Sequence, residues 1–487
     1  MGGSKSLSKR RSTSKFQGIQ TKTRSLKVNK FTVKSILSRV LKKIKPTEED
    51  IGRNHQLLTE VAERLKRATP SDVEVVLVGS VAKGTYIRNK KDFDVFLLFP
   101  RRYSPDEIKR IGLSSAKRAF RGYRHTIAYA EHPYLQVDFE GVKIDVVPAY
   151  KIENPEEKGT AVDRTPFHTS YVNNHLTERE KDEVRLLKQF MKGIGVYGAE
   201  LKVEGFSGYL CELLIIKYSS FLNVLEDAAY HWDFPVVIDI EGYYQDEKEI
   251  LKRFDGPLIV IDPVDGNRNV AAAVSTTSMS KFIFYSRRFL EEPSEDFFFP
   301  RKIYISRDRL KTKILSRGTE IYAISWKAPK GTVEDILWPQ LRRLSRTIVS
   351  HIDSLGFKVL GYYYWTDLDD CMLMVEYYPK ELPRIQQIIG PKITLRENLD
   401  KFIEKHINHE DLYIEHDRII ALVKRKECDL DQVFKRITSP RDTTLPKHLR
   451  NMLRGYKRLD LDELLGGYFE QMKEYFLPTI KVRKRKG

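Results

Sequence analysis

Cysteine and long apolar runs are both scarce in this sequence. Its three cysteines, Cys211, Cys371 and Cys428, are too far apart within 487 residues to suggest a metal-ligand spacing or a disulfide framework. We therefore expect a protein of a reducing, cytoplasmic compartment. No apolar stretch reaches the roughly 18 residues of a membrane span, and no apolar segment of a signal peptide follows the basic N-terminal residues. We thus expect no membrane partner.

Acidic residues are absent from the first 35 positions, which contain ten Lys or Arg. We interpret residues 1–35 as a disordered basic arm that adds salt-dependent affinity for phosphates, with nuclear targeting or a cloning remnant as the alternatives. The whole chain carries a formal net charge of +18. Such an excess favours an extended polyanion, most often nucleic acid, as partner, although a solubility adaptation gives the same charge.

The hydrophobic patterns predict several α/β segments and no internal repeat. Helical spacing at 36–70, strand-like runs at 73–78, 95–99, 134–139 and 142–147, and a helix near 105–121 predict a first module. Residues 176–228 have a helical pattern. Residues 319–378 have the order strand, helix, strand, strand, which suits a small RRM-like or ferredoxin-like sandwich. The aromatic run YYYW at 362–365 lies on one of these strands, so at least half of it is expected to be core.

Two aspartates precede an apolar run in the stretch VGSVAKGTYIRNKKDFDVFLLFP, residues 78–100. Side chains alternate along a strand, so Asp92 and Asp94 point to the same side. Two adjacent carboxylates repel each other unless a cation such as Mg²⁺ lies between them. Two solvated acids at a strand end are the alternative interpretation of this motif taken alone.

The surrounding sequence favours a phosphate site. A loop rich in Gly, Ser and Lys follows the preceding strand, and its backbone N–H groups are suited to holding a triphosphate. A third acid, Asp145, interrupts the apolar run GVKIDVVPAY, where a carboxylate is costly unless it is paired or metal-bound. Asp138 is a rival for this role, but it lies beside a turn. Three carboxylates and a phosphate loop predict a two-metal phosphoryl-transfer site.

Longer motifs point to one family. The pattern G-S, then D-x-D, then a distal acid between apolar residues resembles the nucleotidyltransferase superfamily that includes DNA polymerase beta. Further strings resemble the class I, archaeal-type CCA-adding enzymes (tRNA nucleotidyltransferases), among them IDVVPAYKI, AVDRTPFH, GVYGAE, GFSGYLCELLI and DPVDGNRNVAAAVS. The resemblance is strong from about residue 40 to 300 and looser up to about 475.

This resemblance implies the residues of the site. The catalytic and metal-binding positions, for two Mg²⁺ ions, would be Asp92, Asp94 and Asp145. The nucleotide-binding positions, for ATP and CTP, would be Ser80, Lys83, His168, Lys188, Tyr197 and Arg268. Some members of the family carry Arg at the position of Lys83, and lysine cannot form the two-pronged contact of a guanidinium.

Several of these positions also have a purely structural interpretation. His168 fits a packed core histidine, and Lys188 fits a solvated lysine on a helix. Tyr197 could cap a helix end between two glycines, and Arg268 could form a surface ion pair with Asp265, which would contribute little to stability.

The resemblance also implies the fold. We expect an α+β multidomain protein with a polymerase-beta-like nucleotidyltransferase head, a helical central domain, an RRM/ferredoxin-like body and a basic tail. The expected boundaries are 1–35 for the arm, 36–155 for the catalytic head, 156–290 for the central nucleotide-selecting domain, 291–380 for the body and 381–487 for the tRNA-binding tail region.

The implied activity is the addition of C, C and A to the 3′ end of tRNA from CTP and ATP, without a nucleic-acid template and with release of pyrophosphate. A homodimer is expected from the family. A poly(A) polymerase would share the three acids but add only adenosines. An oligoadenylate synthetase-like enzyme would share the head but need no basic tail. A non-catalytic RNA-binding protein on this fold would be expected to have lost at least one of the acids.

Overall fold

The computed structural model describes residues 30–88, 92–129, 133–154, 157, 161–407 and 411–477. Most of the basic arm and the basic C-terminal end lie outside these residues. The chain divides into two compact units. The first comprises the residues up to Gly198 and Gly205–Pro300, and the second comprises Ala199–Glu204 and the residues from Arg301 onward.

The first unit contains ten helices and eight strands among its described residues. Its helices are α1 (Lys30–Ile44), α2 (Glu48–Ala68), α3 (Gly79–Ala82), α4 (Pro105–Ala119), α5 (Thr165–His175), α6 (Glu178–Gly193), α7 (Gly208–Tyr218), α8 (Phe221–Tyr230), α9 (Glu247–Arg253) and α10 (Thr276–Glu291). Its strands are β1 (Glu74–Val78), β2 (Asp92–Phe99), β3 (His125–Tyr129), β4 (Pro133–Phe139), β5 (Val142–Tyr150), β6 (Val236–Ile238), β7 (Leu258–Asp262) and β8 (Asp265–Asn269).

The second unit contains seven helices and seven strands in its described part. Its helices are α11 (Arg307–Leu315), α12 (Glu334–Ser354), α13 (Arg396–His406), α14 (Leu430–Ile437), α15 (Lys447–Met452), α16 (Leu461–Gly467) and α17 (Phe469–Phe476). Its strands are β9 (Glu320–Lys327), β10 (Lys358–Thr366), β11 (Asp370–Tyr378), β12 (Ile385–Lys392), β13 (Asp411–Glu415), β14 (Arg418–Lys424) and β15 (Lys457–Leu459).

A five-stranded sheet in the order β1-β2-β5-β4-β3 forms the head of the first unit. β2 and β5 run parallel, and the other neighbouring strands are antiparallel. Alternate residues of β2, including Phe93, Val95 and Leu97, are buried in one core with residues of α2 and α4. Thr47 and Ser104 are the N-cap residues of these two helices. The side-chain hydroxyl of each accepts a hydrogen bond from the backbone N–H three residues later.

The strands predicted for the head are confirmed, with two differences. β2 begins at Asp92, earlier than predicted, so both aspartates belong to the ladder. β3 has no counterpart among the predicted strands, because its sequence HTIAY lacks a clear apolar alternation.

Helices α6, α7, α8 and α10 form most of a second core in the first unit. Leu210, Leu213 and Leu214 on α7 are fully buried in it. One charged residue of the same helix, Glu212, is also fully buried. No single described helix is long and apolar enough to cross a membrane, and α7 and α8 meet that criterion only as a pair bent by 89°.

The second unit is built on a four-stranded antiparallel sheet in the order β15-β9-β11-β10. This order, with α12 after β9 and α14 before β15, is that of a ferredoxin-like βαββαβ motif, as the sequence predicts. The elements α14 and β15 come from the residues assigned to the tail region. In the run 362–365, Tyr362 and Tyr364 pack against one core, whereas Tyr363 and Trp365 pack against another.

Candidate active site

Asp94 and Asp145 lie side by side on the two parallel strands at the centre of the head sheet. The register pairs them directly, and it pairs Asp145 with Gln136 of β4 on the other side. The Gln136 amide donates a hydrogen bond to Asp145 Oδ1 at 2.9 Å. Asp92 precedes Asp94 by two residues and is exposed, so the strand alternation directs both to the same face.

The electrostatics of this pair suit a cation. Burial raises the pKa of Asp145, and the negative charges of Asp94 and Asp92 raise it further, against the opposing hydrogen bond of Gln136. The carboxylates therefore repel one another across the strands, a repulsion that a divalent ion would relieve. Among the described residues, however, no three His, Cys, Asp or Glu side chains are grouped closely enough to form a ready metal centre.

The turn before the acids requires glycine. Gly79 opens α3 with a φ of +75°, and a Cβ at this position would lie 2.1 Å from Asp94 Oδ2. Ser80, the next residue, accepts the backbone N–H of Thr85 with its carbonyl oxygen at 2.9 Å. The backbone of the predicted phosphate loop therefore lies directly against one of the predicted metal ligands.

Lys83 and Lys188 meet on Glu212, a residue that was not among the predicted site residues. Lys83 Nζ lies 2.5 Å from Glu212 Oε2, and Lys188 Nζ lies 2.8 Å from Glu212 Oε1. Thr85 links them further, because its hydroxyl donates to Glu212 Oε1 at 2.5 Å and accepts from Lys188 Nζ at 3.0 Å. Lys188 is thus a buried, paired lysine and not a solvated one.

With both lysines protonated, this buried cluster has an excess of positive charge, although burial lowers the pKa of Lys188. Burial alone would raise the pKa of Glu212, but the ammonium groups of Lys188 and Lys83 outweigh it and lower that pKa to about 2. Tyr197 lies near this cluster, because the point where a Cβ on Gly208 would be is 3.1 Å from the Tyr197 hydroxyl and 3.6 Å from Lys188 Nζ. Two ammonium groups against one carboxylate are costly in a buried site unless an anion approaches.

His168 and Arg268 meet on a second buried acid, Asp262, which was also not among the predicted site residues. His168 Nε2 lies 3.0 Å from Asp262 Oδ2, and Arg268 Nη1 donates to the same oxygen at 2.7 Å. The His168 ring stacks on Tyr209 with centroids 4.2 Å apart. Arg268 therefore pairs with Asp262 and not with Asp265, whose partner is Arg164.

Helix α7 joins the two clusters. Tyr209 donates its hydroxyl to Asp262 Oδ1 at 3.1 Å, and Lys83 Nζ lies 5.3 Å from the centre of the Tyr209 ring. Glu212 follows Tyr209 by three residues, which places both on one face of the helix. The structure thus connects four of the six predicted nucleotide positions, Lys83, Lys188, His168 and Arg268, through Glu212, Tyr209 and Asp262. Tyr197 lies near Lys188, and Ser80 lies in the adjoining turn.

Replacing Gly79 by alanine tests the close approach of the turn to Asp94. We expect Gly79→Ala to lower the free energy of unfolding by about 1–3 kcal/mol more than Gly122→Ala, because a Cβ at Gly79 would collide with the carboxylate. Gly122 is the matched control, since its φ is also positive, +92°, and a Cβ there would meet nothing within 4 Å. Equal losses in urea unfolding would contradict the described geometry.

The protonation of His168 gives a second test. Burial lowers the pKa of His168, although the Asp262 carboxylate opposes that shift. We therefore expect a neutral ring at pH 7, with its proton on Nε2, and a titration midpoint below the ordinary value of about 6.5. Nitrogen-15 NMR of labelled histidine measures both, and a midpoint at or above 6.5 would contradict the burial of this side chain.

Three family models match consecutive parts of the chain. A nucleotidyltransferase domain matches residues 58–168, the second domain of tRNA nucleotidyltransferases matches 182–299, and the C-terminal domain of CCA-adding enzymes matches 317–459. A solved structure of a cytoplasmic RNA terminal U-transferase is more distant, with a TM-score of 0.45 and 16% identity over 56% of this chain and all of that chain.

Curated relatives match over most of their length. The CCA-adding enzyme of Saccharolobus islandicus is 40% identical over 398 residues, which cover 82% of this chain and 90% of that protein. The CCA-adding enzyme of Methanocaldococcus jannaschii is 36% identical over 431 residues, which cover 86% of this chain and 94% of that protein. By this similarity, the chain belongs to the family of archaeal-type CCA-adding enzymes, tRNA nucleotidyltransferases with a polymerase-beta-like head.

Proposed function

We propose that this protein adds C, C and A to the 3′ end of tRNA from CTP and ATP, without a nucleic-acid template and with release of pyrophosphate. Family membership supports the reaction. The observation that carries the site assignment is the side-by-side placement of Asp94 and Asp145 on β2 and β5. Nucleotidyl transfer needs such rigidly held carboxylates, because its catalysis consists mainly of positioning and charge stabilisation.

Lys83 and Lys188 are the proposed triphosphate ligands. Both ammonium groups are held within 2.8 Å of Glu212, so their positions are set before a nucleotide arrives. A triphosphate would supply the negative charge that one carboxylate cannot. The glycine-led turn with Ser80 would contribute backbone and hydroxyl donors beside it.

The base and sugar are assigned to the second cluster. Arg268 is 37% exposed while its Nη1 is held by Asp262, so the rest of its guanidinium is accessible to a ligand. His168 and Tyr197 complete the proposed nucleotide site. CTP and ATP both carry an exocyclic amine where UTP and GTP carry an oxygen, so a polar site matched to the correct bases leaves wrong ones with unpaired groups.

Enzymes of the nucleotidyltransferase fold typically use divalent metals, and we propose that Asp94 and Asp145, with Asp92, hold Mg²⁺ here. The mutual repulsion at Asp145 fits such an ion. When bound, the metal supplies activation of the attacking 3′-hydroxyl and charge stabilisation at the leaving pyrophosphate. The presence of two ions, the homodimer and the cytoplasmic location stay predictions.

For tRNA binding, we propose a cavity of about 1310 Å³ in the second unit. Its lining combines basic side chains, among them Lys302 and Arg309, with aromatic ones. Tyr304 is 90% exposed at this cavity. Exposed cations hold phosphates without reading sequence, and aromatic faces stack on bases or ribose, which suits a substrate recognised by shape.

The activity is tested with a tRNA transcript that lacks its 3′ CCA, incubated with Mg²⁺ and each NTP singly and together. Sequencing of the product ends should give discrete CCA termini. We expect Asp145→Asn to lower the rate by at least about 100-fold, because a neutral amide binds a hard cation poorly.

Asp138→Asn is the matched control, since Asp138 is an exposed acid of the neighbouring strand β4. It should leave the rate within about twofold of the unmodified enzyme. Long A-tails would identify a poly(A) polymerase. Absence of extension with intact tRNA binding would favour a non-catalytic RNA-binding protein.

The tRNA surface is tested with Lys302→Ala/Arg309→Ala. Loss of two exposed cations should weaken tRNA binding about tenfold at low salt and reduce the slope of log Kd against log salt by about two. Lys401→Ala/Lys405→Ala, which removes two charges from the exposed side of α13, is the control. Equal effects of both variants in filter binding would argue for general charge attraction and against this cavity.

A further inference from the structure

Asp262 is a fully buried carboxylate at the end of the apolar strand β7. Both of its oxygens accept hydrogen bonds, Oδ2 from His168 and Arg268 and Oδ1 from the Tyr209 hydroxyl. The backbone N–H of Val264 donates to Oδ1 at 3.1 Å. Three of these four donors are thus side chains of the candidate site.

We propose that Asp262 is a positioning residue that sets nucleotide selectivity, by holding the guanidinium of Arg268 and the imidazole of His168 in fixed orientations. This inference rests on the proposed function, because it takes Arg268 and His168 to be nucleotide ligands. Asp262 itself, which is fully buried, is not assigned a contact with the nucleotide.

The reason lies in how Arg268 is held. Its side chain is long, flexible and 37% exposed, and among the described residues Asp262 is its hydrogen-bond partner. A guanidinium has only donors, so it recognises acceptors: N3 of cytosine and N1 of adenine accept a hydrogen bond, whereas N3 of uracil and N1 of guanine carry a proton. A donor discriminates between bases only if its direction is fixed, since a mobile one turns toward whichever acceptor is near.

Tyr209 fixes the carboxylate in turn. Its hydroxyl donates to Oδ1 while its ring stacks on His168, so the acid and the imidazole share one support on α7. Lys83 lies over the same ring, on the side of the phosphate cluster. The orientation of the base ligands is therefore linked to the place of the triphosphate ligands through one helix.

The test is Asp262→Asn, which keeps the size of the side chain and removes one acceptor and the charge. We expect kcat/KM for CTP and ATP relative to UTP and GTP to fall about tenfold on CCA-lacking tRNA, the loss that one charged hydrogen bond accounts for. Lys83→Met is the comparison, since Lys83 is also buried but lies in the phosphate cluster, and its loss leaves Lys188 and Glu212 as a balanced pair. It should raise KM for all four nucleotides alike and leave their ratio unchanged.

A double variant tests whether Asp262 acts through Arg268. If it does, Asp262→Asn/Arg268→Ala should have the selectivity of Arg268→Ala alone. Full additivity of the two effects would overturn the proposal. So would an Asp262→Asn enzyme that is slower but as selective as the unmodified one, because a merely structural role predicts that result.

Tyr209→Phe is a second, milder variant that keeps the proposal testable if Asp262→Asn does not fold. It keeps the ring against His168, removes the hydroxyl donor to Asp262 and should lower selectivity about threefold. An unchanged ratio in this variant would overturn the proposal. Failure of the unmodified chain to add CCA would instead overturn the proposed function, so the two failures are distinguishable.

Discussion

A carboxylate without exposed surface on an apolar helix is the constraint on which the first unit depends. Glu212 remains ionised because Lys83, Lys188 and the Thr85 hydroxyl surround it. Removing Glu212 would leave two buried ammonium groups without a counter-charge, which is among the most costly changes a protein interior can undergo, whereas removing one lysine would leave a balanced ion pair. The interaction also has an architectural effect. Lys83 and Thr85 follow the turn of the head, Lys188 lies on α6 and Glu212 on α7, so compensation of one charge ties the catalytic sheet to the central helices.

The second buried acid, Asp262, also has its charge compensated by partners, on the other side of the candidate site. Asp262 ends a strand whose residues are all buried, and its charge is compensated by Arg268 and by the hydrogen bonds of His168 and Tyr209. Tyr209 lies about one turn before Glu212 on α7. One short helix therefore supports both clusters, and a ligand that spans from phosphate to base would find its two ends at a separation that α7 sets.

Most of the fold could be predicted, because long apolar patterns indicate the helices and strands and the family motifs indicate their order. β15 was not, since KRL carries no strand signal and pairs with β9 through tertiary contacts alone. In the candidate site, too, some features could be predicted from the local sequence and others could not. The cost of a carboxylate in an apolar run identified Asp145, and the same argument applies to Glu212 in GYLCELLII and to Asp262 in LIVIDP. What the local pattern could not supply is the partner, because Lys83 and Glu212 are 129 residues apart and only the packed structure brings them together.

The pairing of the lysines bears on how this site distinguishes phosphates. Lys83 and Lys188 are not solvated in the absence of a ligand, because each already pairs with one oxygen of the Glu212 carboxylate. A ligand with a single negative charge gains little by replacing Glu212, because the exchange is one anion for another. A triphosphate brings several charges to a cluster with positive charge in excess, so it can bind both ammonium groups while Glu212 stays in place. In the proposed site, the buried acid would therefore increase the negative charge that a ligand needs for binding, and base recognition would fall to the separate cluster around Asp262.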